Sequence, residues 1–146
     1  MTILKIALAS DHAGYSTKEE VKKYLEGLGH QVWDFGTHSE ESVDYTDFAH
    51  PLALAVEKGE YTLGFVLCGS GNGVSITANK HQGIRSALCW TPEIASLARQ
   101  HNDANVCAIP ARFVSISEAK QIAKAFVESK FEGGRHQRRV DKIPVK

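Results

Sequence analysis

The stretch from Leu63 to Lys80 reads LGFVLCGSGNGVSITANK, and its reading decides the fold. Leu63–Leu67 is a short apolar run suited to a strand buried on both faces, Cys68–Gly73 is a glycine-rich turn, and Val74–Lys80 is the helix into which that turn opens. Strand, tight turn and helix are the first half of a β-α-β unit. The same order recurs upstream. Ile3–Ala9 is a β-rich apolar run, followed by a helix over Ser16–Leu28 with Val21, Tyr24, Leu25 and Leu28 at helical spacing and Ser16 and Glu19 placed as a capping box. Gly29 ends that helix and Gln31–Phe35 reads as a second strand. A polar loop over Gly36–Val43 then leads into an Ala/Leu-rich helix around Tyr45–Lys58, which Pro51 is expected to kink or delay. Downstream, Arg85–Trp90 is a fourth strand. Thr91, Pro92 and Glu93 supply a cap, a first-turn proline and an acidic group at the positive end of the dipole, opening a helix to about Gln100. Val106–Ile109 is the fifth strand. Ser115 and Glu118 form another capping box before Ala119, Ile122, Ala123, Phe126 and Val127, whose spacing is amphipathic. This alternation implies right-handed crossovers and a five-stranded, mainly parallel sheet with helices on both faces, a Rossmann-like three-layer α/β/α architecture.

With 146 residues the chain has room for one domain, spanning 1–146 with a basic C-terminal tail over 131–146. Its 42% hydrophobic and 23% charged residues are ordinary for a globular protein, which excludes disordered and collagen-like classes. No apolar run is long enough to span a bilayer, and the first ten residues lack the pattern of a secretory signal, so a cytoplasmic protein is expected. Seventeen Lys and Arg balance seventeen Asp and Glu, which removes the broad positive field that nucleic-acid and membrane-surface binders use. An anion site must therefore be local. The tail is the place for one: Arg135, Arg138, Arg139, Lys142 and Lys146 face only Glu132 and Asp141 there. Cys68, Cys89 and Cys107 are odd in number and widely spaced, which argues against a disulfide framework and a structural zinc site.

In parallel sheets ligands bind at the carboxyl ends of strands, which directs attention to the turns Ser10–Gly14 and Cys68–Gly73. Gly69, Gly71 and Gly73 alternate with Ser70 and Asn72. Such a loop either cradles an oxyanion with its backbone N–H groups or simply makes a tight turn. A dinucleotide fingerprint would need a third glycine where Val74 stands, and a P-loop would need a terminal Gly-Lys-Ser/Thr. Cys68, immediately before the loop, is placed either as a thiolate able to take a proton from carbon or as a small buried hydrophobe. Cys89 and Cys107 lie inside apolar strands and read as core. Asp11 and His12 close the first strand on the rim that carries Cys68, and His101, Asn102 and Asp103 form a polar cluster at the end of the fourth helix. Proton exchange and local capping are both open to these groups. His30, His38, His50 and His81 read as surface or loop residues, and His136 fits either role. Arg135 and Arg139, four apart, would present two guanidinium groups on one helical face, a phosphate clamp that Arg112 could join; a solvated basic terminus is the other reading.

Taken together, Ala9–Gly14 (ASDHAG), Cys68–Gly73 (CGSGNG), Ala78–Lys80 (ANK), Arg99–Asp103 (RQHND) and Glu132–Gln137 (EGGRHQ) resemble the type B ribose-5-phosphate isomerase family from Ile3 to about Arg139. The same superfamily holds galactose-6-phosphate isomerase subunits. The resemblance implies an aldose–ketose isomerase acting on a small sugar phosphate without metal or organic cofactor. It implies that Cys68 moves the proton between C1 and C2, and that Ser70 with the amides of Gly69, Gly71, Asn72 and Gly73 holds the enediolate oxygen. His101 and Asp11 would open the sugar ring, with His12, Asn102, Arg112, Arg135 and Arg139 binding sugar and phosphate. It further implies a homodimer or dimer of dimers with active sites shared between chains. Some members have threonine in place of Ser70, and another branch replaces the cysteine base by a glutamate where this chain has Val74, which leaves Cys68 as the base here. A six-carbon substrate such as galactose 6-phosphate or allose 6-phosphate, a non-catalytic sugar-phosphate sensor and a nicotinamide-dependent oxidoreductase are the alternatives; Val74 argues against the last.

Overall fold

The computed structural model describes residues 2–146. Five strands, β1 (Lys5–Ser10), β2 (Gln31–Asp34), β3 (Leu63–Cys68), β4 (Ser86–Leu88) and β5 (Val106–Pro110), form one sheet in the order β2-β1-β3-β5-β4, every pair parallel. Six helices connect and follow them: α1 (Tyr15–Gly27), α2 (Thr46–Glu57), α3 (Asn72–Ala78), α4 (Pro92–Asn102), α5 (Ile116–Glu128) and α6 (Arg135–Asp141). From β1 the chain moves outward to β2, then crosses to β3 on the other side. This reversal makes the carboxyl ends of β1 and β3 a topological switch point, where Asp11 and Cys68 emerge.

Strand periodicity divides the core between two faces. Ile6, Leu8, Phe65, Leu67, Cys107 and Ile109 point to one side and pack with Val21, Leu25, Ala98, Ile122 and Phe126 of α1, α4 and α5. Phe65 meets Phe126 edge-to-face with ring centroids 5.5 Å apart. The alternate residues Ala7, Ala9, Val66, Cys68, Val106 and Ala108 pack with Leu52, Ala53, Val56, Val74 and Ala78 of α2 and α3. Small residues dominate that second face of the sheet, so the helices sit close to it; a Cβ at Gly64 would lie 2.8 Å from Leu52 Cδ2. Among the described residues no helix is long and apolar enough to cross a membrane.

Several local readings change. The Ser16–Glu19 capping box does not form, because α1 starts a residue earlier, at Tyr15, and Asp11 Oδ1 accepts from the N–H groups of Ala13 and Gly14 at 3.0 and 3.1 Å. Pro51 does not delay α2, which runs through it from Thr46. The fourth strand is only three residues long, and α3 begins at Asn72 rather than Val74. His30 is buried, its Nδ1 accepting from Leu4 N–H at 3.1 Å. By contrast Thr91 caps α4, and Ser115 and Glu118 close a complete capping box on α5.

Lys18 on α1 has no exposed surface, and its Nζ lies 2.6 Å from both oxygens of Asp34 at the end of β2. Burial pushes the Asp34 carboxyl up, but the hydrogen bonds from Lys18 and Gly36 and the charges of Lys18 and Lys22 outweigh it and hold it below 3.8. A carboxyl depressed in the folded state adds stability above its unfolded value and loses it as pH falls through the folded one. Asp34→Asn, which leaves the buried Lys18 ammonium only the partly exposed Glu19 carboxylate at 3.2 Å as a charged partner, should cost about 3 kcal/mol at neutral pH. Urea unfolding should show the gap between variant and wild type closing below about pH 4; a gap unchanged by acid would remove the ion pair as its cause.

Candidate active site

Three turns meet at the carboxyl ends of the strands. The β1–α1 turn is fixed by Asp11, whose Oδ1 caps Ala13 and Gly14 and whose N–H donates to Leu67 O at 3.2 Å. It packs so tightly on β3 that a Cβ at Gly14 would stand 2.7 Å from Leu67 O. The β5–α5 turn is tied to the glycine loop by Ala111 N–H donating to Cys68 O and Arg112 N–H donating to Gly69 O, both at 3.0 Å. The Arg112 side chain lies over Gly69, where a Cβ would be 3.3 Å from Nη1. A cation is thus placed beside the loop.

Within the loop, Gly71 has φ +76° and a Cβ there would collide with Leu88 Cδ1 at 2.5 Å, so both conformation and space require glycine. Ser70 Oγ accepts from Asn72 N–H at 3.2 Å, which leaves its own proton to donate outward. Cys68 is 5% exposed and belongs to the apolar cluster with Ala9 and Val74. Cys89 and Cys107 have no exposure at all; burial pushes the Cys107 thiol well up, and the neighbouring Cys89 pushes it further. Of the three, only Cys68 ends a strand at the rim. His12 Nδ1 accepts from Val43 N–H at 3.2 Å, so a neutral His12 carries its proton on Nε2. One group here was not singled out from sequence: the Tyr45 ring covers Gly73, lying 2.6 Å from where a Cβ would be. Its only sequence signal was an aromatic residue at the start of an Ala/Leu-rich helix.

The remaining candidates lie elsewhere. α4 begins past the carboxyl end of β4 and runs back to Asn102, next to the start of β5, so His101 and Asn102 sit at the end where the strands begin. Arg85, just before β4, confirms the level by donating from Nε to Asn102 O at 3.1 Å and Asp103 O at 2.9 Å. Glu132 N–H donates to Gln100 O at 3.0 Å, which brings the start of the tail to the same rim. There α6 buries His136 and Val140, and Arg135 and Arg139, also four apart, remain exposed beside them. The His101 and His136 rings stack with centroids 4.4 Å apart. Burial, then the charges of His101, Arg135 and Arg139, hold His136 below the ordinary imidazole value against the pull of Glu132. The residues singled out from sequence therefore form two groups. Asp11, His12, Cys68, the glycine loop and Arg112 share one rim, and His101, Asn102, Arg135 and Arg139 share the other, separated by the length of β3, about 17 Å at 3.3 Å per residue.

A parallel sheet with a strand-order switch point, a glycine loop and split clusters of imidazole and guanidinium groups defines an α/β protein built to handle a small anionic ligand. Residues 6–143 match the family model described as Ribose/Galactose Isomerase. Ribose-5-phosphate isomerase B of Escherichia coli (strain K12) is 47% identical over 139 residues, covering 95% of this chain and 93% of that protein. The crystal structure of a Thermotoga maritima ribose 5-phosphate isomerase superposes with a TM-score of 0.94 at 49% identity, covering 97% of each chain. Ribose-5-phosphate isomerase B of Mycoplasma genitalium, solved with bound ribulose-5-phosphate, gives a TM-score of 0.92 at 42% identity over 95% of this chain and 93% of that one. The chain belongs to the ribose/galactose isomerase family, in its type B ribose-5-phosphate isomerase branch, and is an aldose–ketose isomerase.

Proposed function

We propose that this enzyme interconverts ribose 5-phosphate and ribulose 5-phosphate through a cis-enediolate, in a site completed by a second copy of the chain. The observation that carries the reading is the placement of Cys68 at the switch-point end of β3, next to the outward-facing Ser70 hydroxyl and the Gly69–Gly73 turn, in a chain close to a relative solved with ribulose-5-phosphate. In this mechanism the Cys68 thiolate takes the proton from C2 of the open-chain aldose and returns it to C1. The electron pair released moves onto the carbonyl oxygen O1, where the Ser70 O–H and the loop amides stabilise the developing charge. The C2 hydroxyl proton then passes to O1, and the electron pair on O2 forms the C2 carbonyl as C1 takes up the proton. Before that, His101 and Asp11 open the furanose ring by moving a proton between the anomeric hydroxyl and the ring oxygen. The phosphate, remote from the reacting carbons, is gripped by His12, Arg112, Arg135 and Arg139, and its binding energy orients the sugar.

The two-rim geometry supports assigning Asp11, His12, Cys68, Ser70 and Arg112 to one chain and His101, Asn102, Arg135 and Arg139 to its partner in a homodimer. Turnover of a panel of five- and six-carbon aldose phosphates tests the substrate. Ribose 5-phosphate should be converted with the highest kcat/KM. A preference for galactose 6-phosphate or allose 6-phosphate would replace the pentose reading, and no turnover of any would leave a sensor. On the preferred substrate Arg139→Ala should chiefly raise KM, since a group far from C1 and C2 contributes binding shared by ground and transition states; a loss confined to kcat would take Arg139 away from the phosphate.

A further inference from the structure

The tail is turned into place by Gly133 and Gly134, with φ +67° and +56°, and Glu132 and His136, four apart, face the last turn of α4. His101 Nε2 lies 3.9 Å and His136 Nε2 3.6 Å from the same oxygen, Glu132 Oε1. All three donor atoms fall within 4.8 Å of one another. His136 is 8% exposed, and its Nε2 is buried with no hydrogen-bond partner among the described residues. An orphaned imidazole nitrogen aimed at a carboxylate that a second imidazole also approaches is an incomplete arrangement as it stands, because a buried polar atom without a partner carries its full desolvation cost. A cation between the three groups would complete it.

We propose that His101, Glu132 and His136 form a binding site for one Zn2+ or similar borderline divalent cation, and that an occupied site holds the enzyme inactive. Two imidazoles and one carboxylate are a donor set that zinc accepts, with the fourth tetrahedral position left to water. Bonds of 2.0–2.1 Å put tetrahedral ligand atoms about 3.3 Å apart, so the imidazole nitrogens, now 3.9 and 3.6 Å from Glu132 Oε1, must close on it by about 0.6 and 0.3 Å, and the widest donor pair, within 4.8 Å, by up to about 1.5 Å. His101 and Glu132, with side chains 39% and 52% exposed, are free to rotate and splay the stacked rings. The guanidinium groups of Arg135 and Arg139 oppose a dication, which sets the expected affinity in the micromolar range rather than at the level of a closed structural site. Binding does not depend on the reading of the reaction. Inhibition does, because it follows from taking His101 out of ring opening.

Zinc titration of the full-length protein against a chromophoric chelator, run beside turnover, tests both parts. The wild type should take up one equivalent per chain. Glu132→Gln and His136→Asn should each weaken uptake about tenfold or more, whereas Cys68→Ala should keep it. Circular dichroism shows whether the buried His136 variant is folded, and exposed Glu132 provides the variant least exposed to that risk. Turnover of the wild type should fall along the binding curve and return on adding EDTA, while Glu132→Gln stays active at the same zinc concentration. No uptake, or uptake indifferent to both substitutions, overturns the site. Uptake that obeys the substitutions with wild-type turnover undiminished overturns the inhibition. Failure of the proposed reaction itself would show separately, as absent turnover in metal-free protein.

Discussion

Cys68→Ala is expected to lower kcat on ribose 5-phosphate by about two to four orders of magnitude while leaving KM close to wild type, the range over which a positioned general base acts. The other two cysteines and the residue after the loop offer no substitute: Cys89, just past β4, and Cys107 in β5 are fully buried, and the residue after the glycine loop is Val74. Cys68 also packs in the apolar cluster under α2 and α3, so the variant needs a stability control. Removing one sulfur from that edge should cost about 1–2 kcal/mol, visible as a lower Tm but too little to unfold the chain at assay temperature. Cys68→Ser separates chemistry from packing: it keeps nearly the same volume, yet an alcohol is a far weaker base than a thiolate, so it should be nearly as inactive as the alanine variant. Turnover within tenfold of wild type in both would remove the cysteine from proton transfer.

The enzyme's strands and helices were legible because each carries its own signal. Buried strands of a parallel sheet are short apolar runs, and Thr91 and Ser115 mark helix starts with side chains that do cap them. Ser16 misled for a physical reason: α1 already begins at Tyr15 after Gly14, so the Lys18 N–H donates to Gly14 O at 2.8 Å and Ser16 is an exposed residue inside the first turn. Lys18–Asp34 and His30 were illegible, since a lysine or histidine at an ordinary position shows nothing of the partner that folding brings to it from 16 or 26 residues away. The rim of Asp11, Cys68 and Arg112 follows from strand ends alone. His101 and Arg139 do not join that rim by any local rule, and the motifs that single them out carry no record of which end of the sheet they occupy. Tyr45 was missed because its contact with Gly73 depends on how α2 lies across α3, a tertiary fact.

That separation of the two rims leads to the second large effect. Cys68→Ala and His101→Ala homodimers should each be nearly inactive on ribose 5-phosphate, but a mixture unfolded and refolded together should recover about a quarter of wild-type activity under random pairing. If a site takes its cysteine from one chain and its histidine from the partner, half of the dimers formed from equal amounts are hybrids, and each hybrid gathers both lesions into one site and leaves the other intact. Were Cys68 and His101 of one chain to act together, every site in every dimer would contain one lesion and mixing would restore nothing. The structure favours the first outcome, since α4 carries His101 to the end of the sheet opposite Cys68 and no side chain bridges about 17 Å. Arg135 and Arg139 of α6 share the rim to which α4 carries His101, so at substrate far below the raised KM of Arg139→Ala, where that variant also turns over little, Arg139→Ala should complement Cys68→Ala and should fail to complement His101→Ala. This pattern of pairs maps the two halves of the site without a bound ligand; recovery between His101→Ala and Arg139→Ala would place those two residues in different sites and break the assignment of the tail to the rim of α4.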